Sequence, residues 1–173
     1  MPDPALTAPV FATFSAGAAQ LERITRLVER WVRFGAECGA AVSAGTAAPA
    51  WVAVPGECDG FDSLMWQQFL DEMQKAGNQA ALGIGEWAEG VSAVAPHCHA
   101  VLAAMDAACA FAAQRNAEIR FRWLILCIRA ALPASEAPAH AFLGEYGRMK
   151  FVRRLRRTIF YLPLHFTRVM LTI

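Results

Sequence analysis

Apolar residues recur at helical spacing along most of this chain, and no segment shows the convincing apolar–polar alternation of a half-buried strand. Between Ala18 and Ala41, apolar side chains return every three or four positions while charged side chains mostly occupy the other face. Further helical segments follow after short links. Because such a chain must bury its apolar faces by packing helix against helix, the sequence predicts an all-α domain.

The pattern predicts seven or eight helices that pack as stacked antiparallel hairpins, and an irregular solenoid also fits. Asp62 is predicted to cap the second helix, and Gly77-Asn78 is predicted to end it. We expect Ala80–Gly90 to be a short or broken helix, because its glycines disfavour a regular one. The other helices after the first are predicted at Ser63–Lys75, Ala95–Ala113, Asn116–Ala131, Ala137–Tyr146, Arg148–Tyr161 and Leu164–Leu171.

Two segments of the chain lack the helical pattern, namely its first residues and the stretch after the first predicted helix. The first dozen residues contain Pro2, Pro4 and Pro9 and lack helical periodicity, so they are predicted to be extended. We expect residues 1–15 to form a linker from an upstream domain and residues 16–173 to form one helical domain. The Gly-, Ala- and Pro-rich segment 43–60 is predicted to be a loop, with a short extended piece at 51–54. A chain of 173 residues can bury a core without disulfide or metal support.

Charge is sparse and unevenly distributed. Only 18% of the residues are charged and 56% are hydrophobic, which predicts that a partner covers some apolar surface. From Tyr146 to the end there are seven Lys or Arg residues and no Asp or Glu. Such a basic segment suits an anionic ligand, an acidic protein surface or nucleic acid, and it also suits a solvated helix face.

Membrane and secretory classes are not favoured. The best candidate span, Thr158–Ile173, is too short and is interrupted by Pro163, His165 and Arg168. The N-terminal residues lack a basic segment ahead of an apolar one. The five cysteines are odd in number and never spaced C-x-x-C, so we expect reduced core thiols and a cytoplasmic protein. These cysteines are Cys38, Cys58, Cys98, Cys109 and Cys127.

No self-contained active site is visible in the sequence. It lacks the H-E-x-x-H pair, the G-x-S-x-G elbow and the phosphate-binding G-K-S/T. The group His97-Cys98-His99 offers only three candidate ligands, whose alternate positions on a helix point apart. Gly83-Ile84-Gly85 lacks the remaining glycine of a dinucleotide-binding loop. We therefore predict no catalytic residue, metal site or cofactor within this chain.

Two segments near the C-terminal end are the most informative. Asn116 is predicted to cap a helix that carries Glu118 in its first turn, and Gly147 is predicted to end the helix before Arg148. At a frayed helix start, Arg148 and Lys150 can converge on one anion, and arginine offers a two-pronged donor to a carboxylate. The alternative from residue types alone is a structural ion pair at a helix start.

These segments resemble a known family. The run N-A-E-I-R-F-R-W-L-I-L-C-I at 116–128 and G-R-M-K-F-V-R at 147–153 closely resemble the C-terminal helical domain of leukotriene A(4) hydrolase and its aminopeptidase relatives, zinc metallopeptidases of family M1. Weaker likeness extends to residues 4–31, 66–70 and 105–111. Where relatives usually carry R-P-L, this chain has Arg153-Arg154-Leu155, which leaves substrate choice and epoxide hydrolysis open.

The resemblance implies an armadillo- or HEAT-like helical domain that borders the substrate cleft of a zinc aminopeptidase. It also implies that Arg148 anchors the substrate carboxylate, with help from Lys150. The zinc ligands and the catalytic glutamate are then expected on an upstream catalytic domain, which would be the main partner, so this chain alone should be inactive. The alternative hypothesis is a stand-alone helical-repeat module whose basic C-terminal helix binds an acidic protein or RNA, although no nucleic-acid motif supports it.

Overall fold

The computed structural model describes residues 4–84 and 94–160 of the chain. Within these residues the protein contains α-helices and two 3₁₀ turns, and the one β feature is an isolated bridge between Ile84 and Val94. The predicted all-α class is therefore confirmed for the described residues. The helices are α1 (Pro4–Ala44), α2 (Ser63–Met73), α3 (Ala76–Ala81), α4 (Cys98–Cys109), α5 (Ala117–Arg129), α6 (Glu136–Glu145) and α7 (Met149–Phe160).

Helix α1 begins earlier than the sequence pattern predicted. It runs back to Pro4, so the prediction of an extended conformation for the first dozen residues is wrong. Pro4 is tolerated because it occupies the first helical position, where a backbone N–H would have no intrahelical acceptor. Pro9 lies further inside the helix and removes one backbone hydrogen-bond donor. The role of residues 1–15 as a linker from an upstream domain stays a prediction.

The start of α2 was predicted correctly, and its end was not. The Asp62 carboxylate accepts hydrogen bonds from the backbone N–H groups of Leu64 and Met65, at 2.9 and 2.8 Å. Helix α2 ends at Met73, whereas the predicted stop at 77–78 lies inside α3. Asn78 nevertheless contributes to the end of α2, because its side-chain amide donates to the carbonyl of Glu72 at 2.9 Å.

The later helices lie close to their predicted positions. Helix α4 ends before the predicted Ala113, because Ala110 takes a left-handed conformation with φ of 51° and a 3₁₀ turn follows at Phe111–Ala113. A second 3₁₀ turn precedes α6 at Pro133–Ser135. Residues 51–54 form no strand. The predicted helix at 164–171 and the second part of the predicted segment 80–90 lie outside the described residues.

The described helices were also searched for a membrane span. None of those in residues 4–84 and 94–160 is long and apolar enough to cross a bilayer. Most of the segment 158–173, which the sequence argument rejected as a span, lies outside these residues.

A first hydrophobic core packs α1 against α2, α3 and α4. At its edge, the fully buried Trp31 of α1 stacks on Trp51 of the following loop, with ring centroids 3.5 Å apart. Arg30 lies over the Trp51 ring and donates to the carbonyl of Val52 at 2.7 Å. Arg23 donates to the carbonyl of Asp59 at 2.5 Å. These contacts hold an otherwise irregular loop against α1.

A second core joins α5, α6 and α7. Phe142 of α6 and Phe151 and Leu155 of α7 are buried against α5. Helix α5 contributes to both cores, because its two apolar faces point in different directions. Four of its residues are buried in the first core, namely Ile119, Trp123, Leu126 and Cys127. Four others face the second core, namely Phe121, Leu124, Ile125 and Ile128.

Helices α1 and α3 approach each other through Gly35. A Cβ atom at Gly35 would lie 2.5 Å from the carbonyl oxygen of Ala81, which is closer than real Cβ contacts allow. The obstruction is backbone, so it cannot be relieved by a side-chain rotation. The glycine at this position therefore sets the distance between the two helices.

We expect Gly35→Ala to lower the free energy of unfolding by about 1–3 kcal/mol, because the methyl group forces α1 and α3 apart. The matched control is Gly144→Ala in α6, where an added Cβ meets no atom within 4 Å. That variant should gain about 0.5–1 kcal/mol from the better helix propensity of alanine. Urea denaturation measures both, and equal stability of the two variants would contradict the close approach at Gly35.

Candidate functional site

The first turn of α5 carries a carboxylate that contacts the charged residues near the start of α7. Asn116 caps the helix, and its side-chain oxygen accepts from the backbone N–H of Glu118 at 2.9 Å, as predicted. The Glu118 carboxylate accepts hydrogen bonds from Arg122, one turn further along, at 3.0 Å and from the ammonium group of Lys150. One carboxylate therefore links the start of α5 to the start of α7.

These contacts change the acidity of Glu118. The hydrogen bond from Lys150 holds the pKa of this carboxyl below its ordinary value, and Arg122 acts in the same direction. Partial burial opposes them but does not prevail. Glu118 is consequently ionised at neutral pH and neutralises one cation on its own helix and one on α7.

Two arginines of α5 extend this network to other helices. Arg122 donates to Asp71 of α2 at 2.9 Å, and Arg120 donates to Glu145 of α6 at 2.9 Å. Arg120 also lies over the rings of Phe142 and Tyr146, at 5.5 and 5.7 Å from their centroids. These two arginines are therefore committed to structural contacts.

Arg148 has a fixed backbone and an exposed side chain. Its carbonyl accepts from the backbone N–H groups of Phe151 and Val152, at 2.9 and 3.1 Å, in the first turn of α7. Phe151 is 1% exposed, so the start of this helix is anchored in the second core. None of the described residues hydrogen-bonds or ion-pairs with the Arg148 guanidinium. The backbone of Arg148 is thus fixed, and its guanidinium has no partner within the described residues.

Lys150 is also exposed, but it has a partner within the protein. It pairs with Glu118, and its ammonium nitrogen lies 4.8 Å from the centroid of the Phe151 ring. The helix-start ion pair that residue types left open is therefore present at Lys150. The structure places Arg148 and Lys150 together at the start of α7, with different surroundings.

The histidine and cysteine cluster of the sequence separates in space. His99 pairs through Nε2 with the carbonyl of Ala130 at 2.9 Å, and His97 lies against the backbone at Gly39 and Gly83. Cys98 points into the first core, where burial raises its pKa to about 12. Among the described residues, no group of three or more His, Cys, Asp or Glu side chains could hold a metal ion.

A mainly apolar cavity of about 290 Å³ lies between α4, α5 and the two 3₁₀ turns. Leu102, Phe111 and Trp123 line it, and within the described part of the chain Arg120 is the one cation in its wall. Neither Arg148 nor Lys150 contributes to this cavity. It is thus a separate feature from the exposed cations at the start of α7.

Comparison with known proteins identifies the family. The sequence profile of the family described as leukotriene A4 hydrolase, C-terminal, matches residues 61–162, which is more than half of the chain. The chain belongs to this family. The match to the leukotriene A4 hydrolase C-terminal family begins just before α2 and includes α7, so both Arg148 and Lys150 lie within it.

A curated relative supports the same assignment over a shorter stretch. The chain is 52% identical over 46 residues to leukotriene A-4 hydrolase of Xenopus laevis. This stretch is 27% of the chain and 8% of the Xenopus protein, so the relative is far longer than the part it shares. No solved structure matches the chain.

Several charged contacts of the site were not predicted from the sequence. The spacing of Glu118 and Arg122 is a signal for an ion pair within one helix. Asp71 and Glu145, in contrast, lie far from their arginine partners along the chain, and no periodic pattern indicates those pairs. The tertiary fold alone identifies them.

We expect Glu118→Gln to lower the free energy of unfolding by roughly 1 kcal/mol at pH 7, because it removes the acceptor for Lys150 and Arg122. The pKa of Glu118 is lowered by folding, so its stabilising contribution is complete above the unfolded pKa and is lost as pH falls through the lower folded pKa. The difference between wild type and variant should therefore shrink in acid. Urea titrations at a series of pH values measure it.

The control for this experiment is Glu29→Gln. Glu29 is an exposed residue of α1 that pairs with none of the described residues. Its substitution should leave stability nearly unchanged at every pH. A Glu118→Gln difference that stays constant from neutral to acidic pH would contradict the ionised carboxylate at the centre of this network.

Proposed function

We propose that this chain is the C-terminal domain of a leukotriene A(4) hydrolase-like zinc aminopeptidase, in which it borders the substrate cleft and binds the carboxylate of the substrate. The observation that carries the proposal is the state of Arg148. It is exposed and unpaired among the described residues, while its backbone is fixed at the start of a helix anchored by Phe151. Such a cation can bind an anion without first breaking an internal ion pair.

The chemistry of Arg148 favours a carboxylate. A guanidinium donates two parallel hydrogen bonds to a carboxylate, which fixes both the position and the orientation of the bound group. The start of α7 adds the positive end of the helix dipole and free backbone N–H groups. When the terminal carboxylate of a short peptide is held in this way, the other end of the peptide lies at a fixed distance from Arg148.

Lys150 would assist this binding while it remains paired with Glu118. The Glu118 carboxylate neutralises much of its charge, so Lys150 offers a weaker attraction to a second anion than Arg148 does. Its ammonium group has three donors, so it can bind a substrate oxygen while still contacting Glu118. We assign the main contact to Arg148 and the supporting contact to Lys150.

One large apolar side chain is exposed beside these cations. Met149 lies between them in sequence and is 57% exposed. A large exposed apolar side chain beside a cation suits either the body of a substrate or the surface of an adjoining domain. This supports a location at the edge of a cleft that another domain completes.

The chain's share of catalysis would be positioning rather than bond cleavage. We assign the zinc and the residues that bind it to the upstream catalytic domain that the family resemblance implies. Zinc in such a domain would activate the water that attacks the peptide bond. Holding the carboxylate end of the peptide lowers the entropic cost of bringing the other end to that site. The chain alone should be inactive, and we place the whole enzyme in the cytoplasm.

A second candidate function rests on the rest of α7. Arg153, Arg156 and Arg157 are exposed on α7, and Arg148 is exposed just before this helix. Such a surface could bind an acidic protein or RNA through charge alone. Binding of this kind would weaken steeply with added salt and would depend about equally on each arginine.

We expect Arg148→Ala in the complete enzyme to lower kcat/KM for tripeptides by the equivalent of about 2–4 kcal/mol, because the substrate carboxylate loses its main contact. Arg148→Lys should restore part of the loss through charge without the two-pronged geometry. The matched control is Arg156→Ala, which removes an exposed cation from the same helix.

Steady-state kinetics of the three variants measures these effects. The Arg156→Ala enzyme should retain wild-type kcat/KM. Unchanged kinetics of Arg148→Ala on tripeptides would refute the anchoring role, and equal losses in both alanine variants would favour the general basic surface.

A further inference from the structure

Two of the five cysteines lie together at the surface of the first core. Cys58 and Cys109 are half-buried, both pack against the first core, and their thiols interact closely enough for each to shift the pKa of the other. The other three cysteines, Cys38, Cys98 and Cys127, are buried. All five cysteines are free; these three lie within the core, whereas Cys58 and Cys109 lie half-buried at its edge.

The pair joins two segments that are distant in sequence. Cys58 lies in the turn-rich part of the loop between α1 and α2, and Cys109 is the last residue of α4. Ala110 follows in the left-handed conformation, so the chain turns sharply away from the thiol.

Cations surround Cys58 because the loop is attached to α1 through arginines. Arg23 donates to the backbone carbonyls of Glu57 and Asp59, at 3.2 and 2.5 Å. Arg30 pairs with the Glu57 carboxylate. The same two guanidinium groups that hold the loop therefore place positive charge near the Cys58 sulfur.

The two thiols differ in acidity. The hydrogen bond from Cys109 lowers the pKa of Cys58, and the charges of Arg23 and Arg30 add to this effect against burial and the Glu57 charge. The same hydrogen bond, burial and nearby negative charges raise the pKa of Cys109. Cys58 is thus the thiol that ionises first, and Cys109 keeps its proton.

We propose that Cys58 and Cys109 form an oxidant-sensitive pair, which a hydroperoxide converts into an intramolecular disulfide. The Cys58 thiolate attacks one peroxide oxygen, the O–O bond breaks, and with one proton the products are a sulfenic acid and water. The Cys109 sulfur then attacks the Cys58 sulfur, an S–S bond forms, and the displaced hydroxide takes the Cys109 proton to become water. In total, two thiols and one hydrogen peroxide give one disulfide and two waters.

The buried cysteines serve as internal controls. Burial raises the pKa of Cys38, Cys98 and Cys127, so the thiolate fraction of each is small at neutral pH. Oxidation should therefore be selective for the Cys58–Cys109 pair in the folded chain. The disulfide would attach the loop that carries Trp51 to the end of α4.

The test uses the purified 173-residue chain, reduced and then exposed to increasing hydrogen peroxide near pH 7. Intact-mass spectrometry should show the loss of two hydrogens at the lowest effective doses, and non-reducing peptide mapping should identify one link, Cys58 to Cys109. The thermal midpoint should rise on oxidation and return after reduction, because the link restricts the unfolded chain. Cys38, Cys98 and Cys127 should remain reduced.

Variants separate the two roles. Cys109→Ser should stop at a sulfenic acid on Cys58 that dimedone traps, and Cys58→Ser should slow oxidation of Cys109 roughly tenfold or more relative to wild type. Cys38→Ser, the matched control, should form the disulfide at the wild-type rate. The wild-type peptide map decides the matter even if a variant fails to fold. No two-hydrogen loss, a link between other cysteines, or intermolecular products alone would overturn the proposal.

Discussion

The structure depends on the burial of α5 on two of its faces. One face completes the core formed with α1, α2 and α4, and the other forms the base on which α6 and α7 pack. A helix confined in this way has no freedom to rotate or slide, since any shift would expose Trp123 on one side or Ile125 on the other. The position of α7, and with it the exposed Arg148, follows from this constraint.

The ion pairs around α5 determine which cations are available to a ligand. Arg120, Arg122 and Lys150 each have a carboxylate partner, and these partners come from α6, α2 and α5 itself. Arg148 has no such partner among the described residues, although it lies only two positions from Lys150. The fold therefore separates these three cations, which have structural partners, from exposed cations such as Arg148, a difference that residue types alone do not show.

Much of the helical architecture was predictable from the sequence, because periodicity and capping are local properties. Asp62 and Asn116 cap the helices they were expected to cap, since an acceptor side chain before a helix satisfies N–H groups only two or three residues away. The start of α1 and the end of α2 were predicted wrongly: a proline at the first helical position disrupts nothing, and Asn78 closes α2 through a side chain from the next helix. The candidate site was predictable only as residue types. The pairs of Arg120 with Glu145, Arg122 with Asp71 and Lys150 with Glu118 depend on tertiary packing, as does the proximity of Cys58 to Cys109.

The central claim is that Arg148 binds the substrate carboxylate, and a double-mutant cycle between enzyme and substrate tests it most directly. The four values of kcat/KM come from the complete wild-type enzyme and its Arg148→Ala variant, each measured with a tripeptide and with the C-terminally amidated form of that tripeptide. If the guanidinium contacts the carboxylate, amidation costs the wild-type enzyme a large part of its activity and costs the variant almost nothing. Equal losses on amidation in both enzymes would show that the two groups do not interact, and would contradict the account.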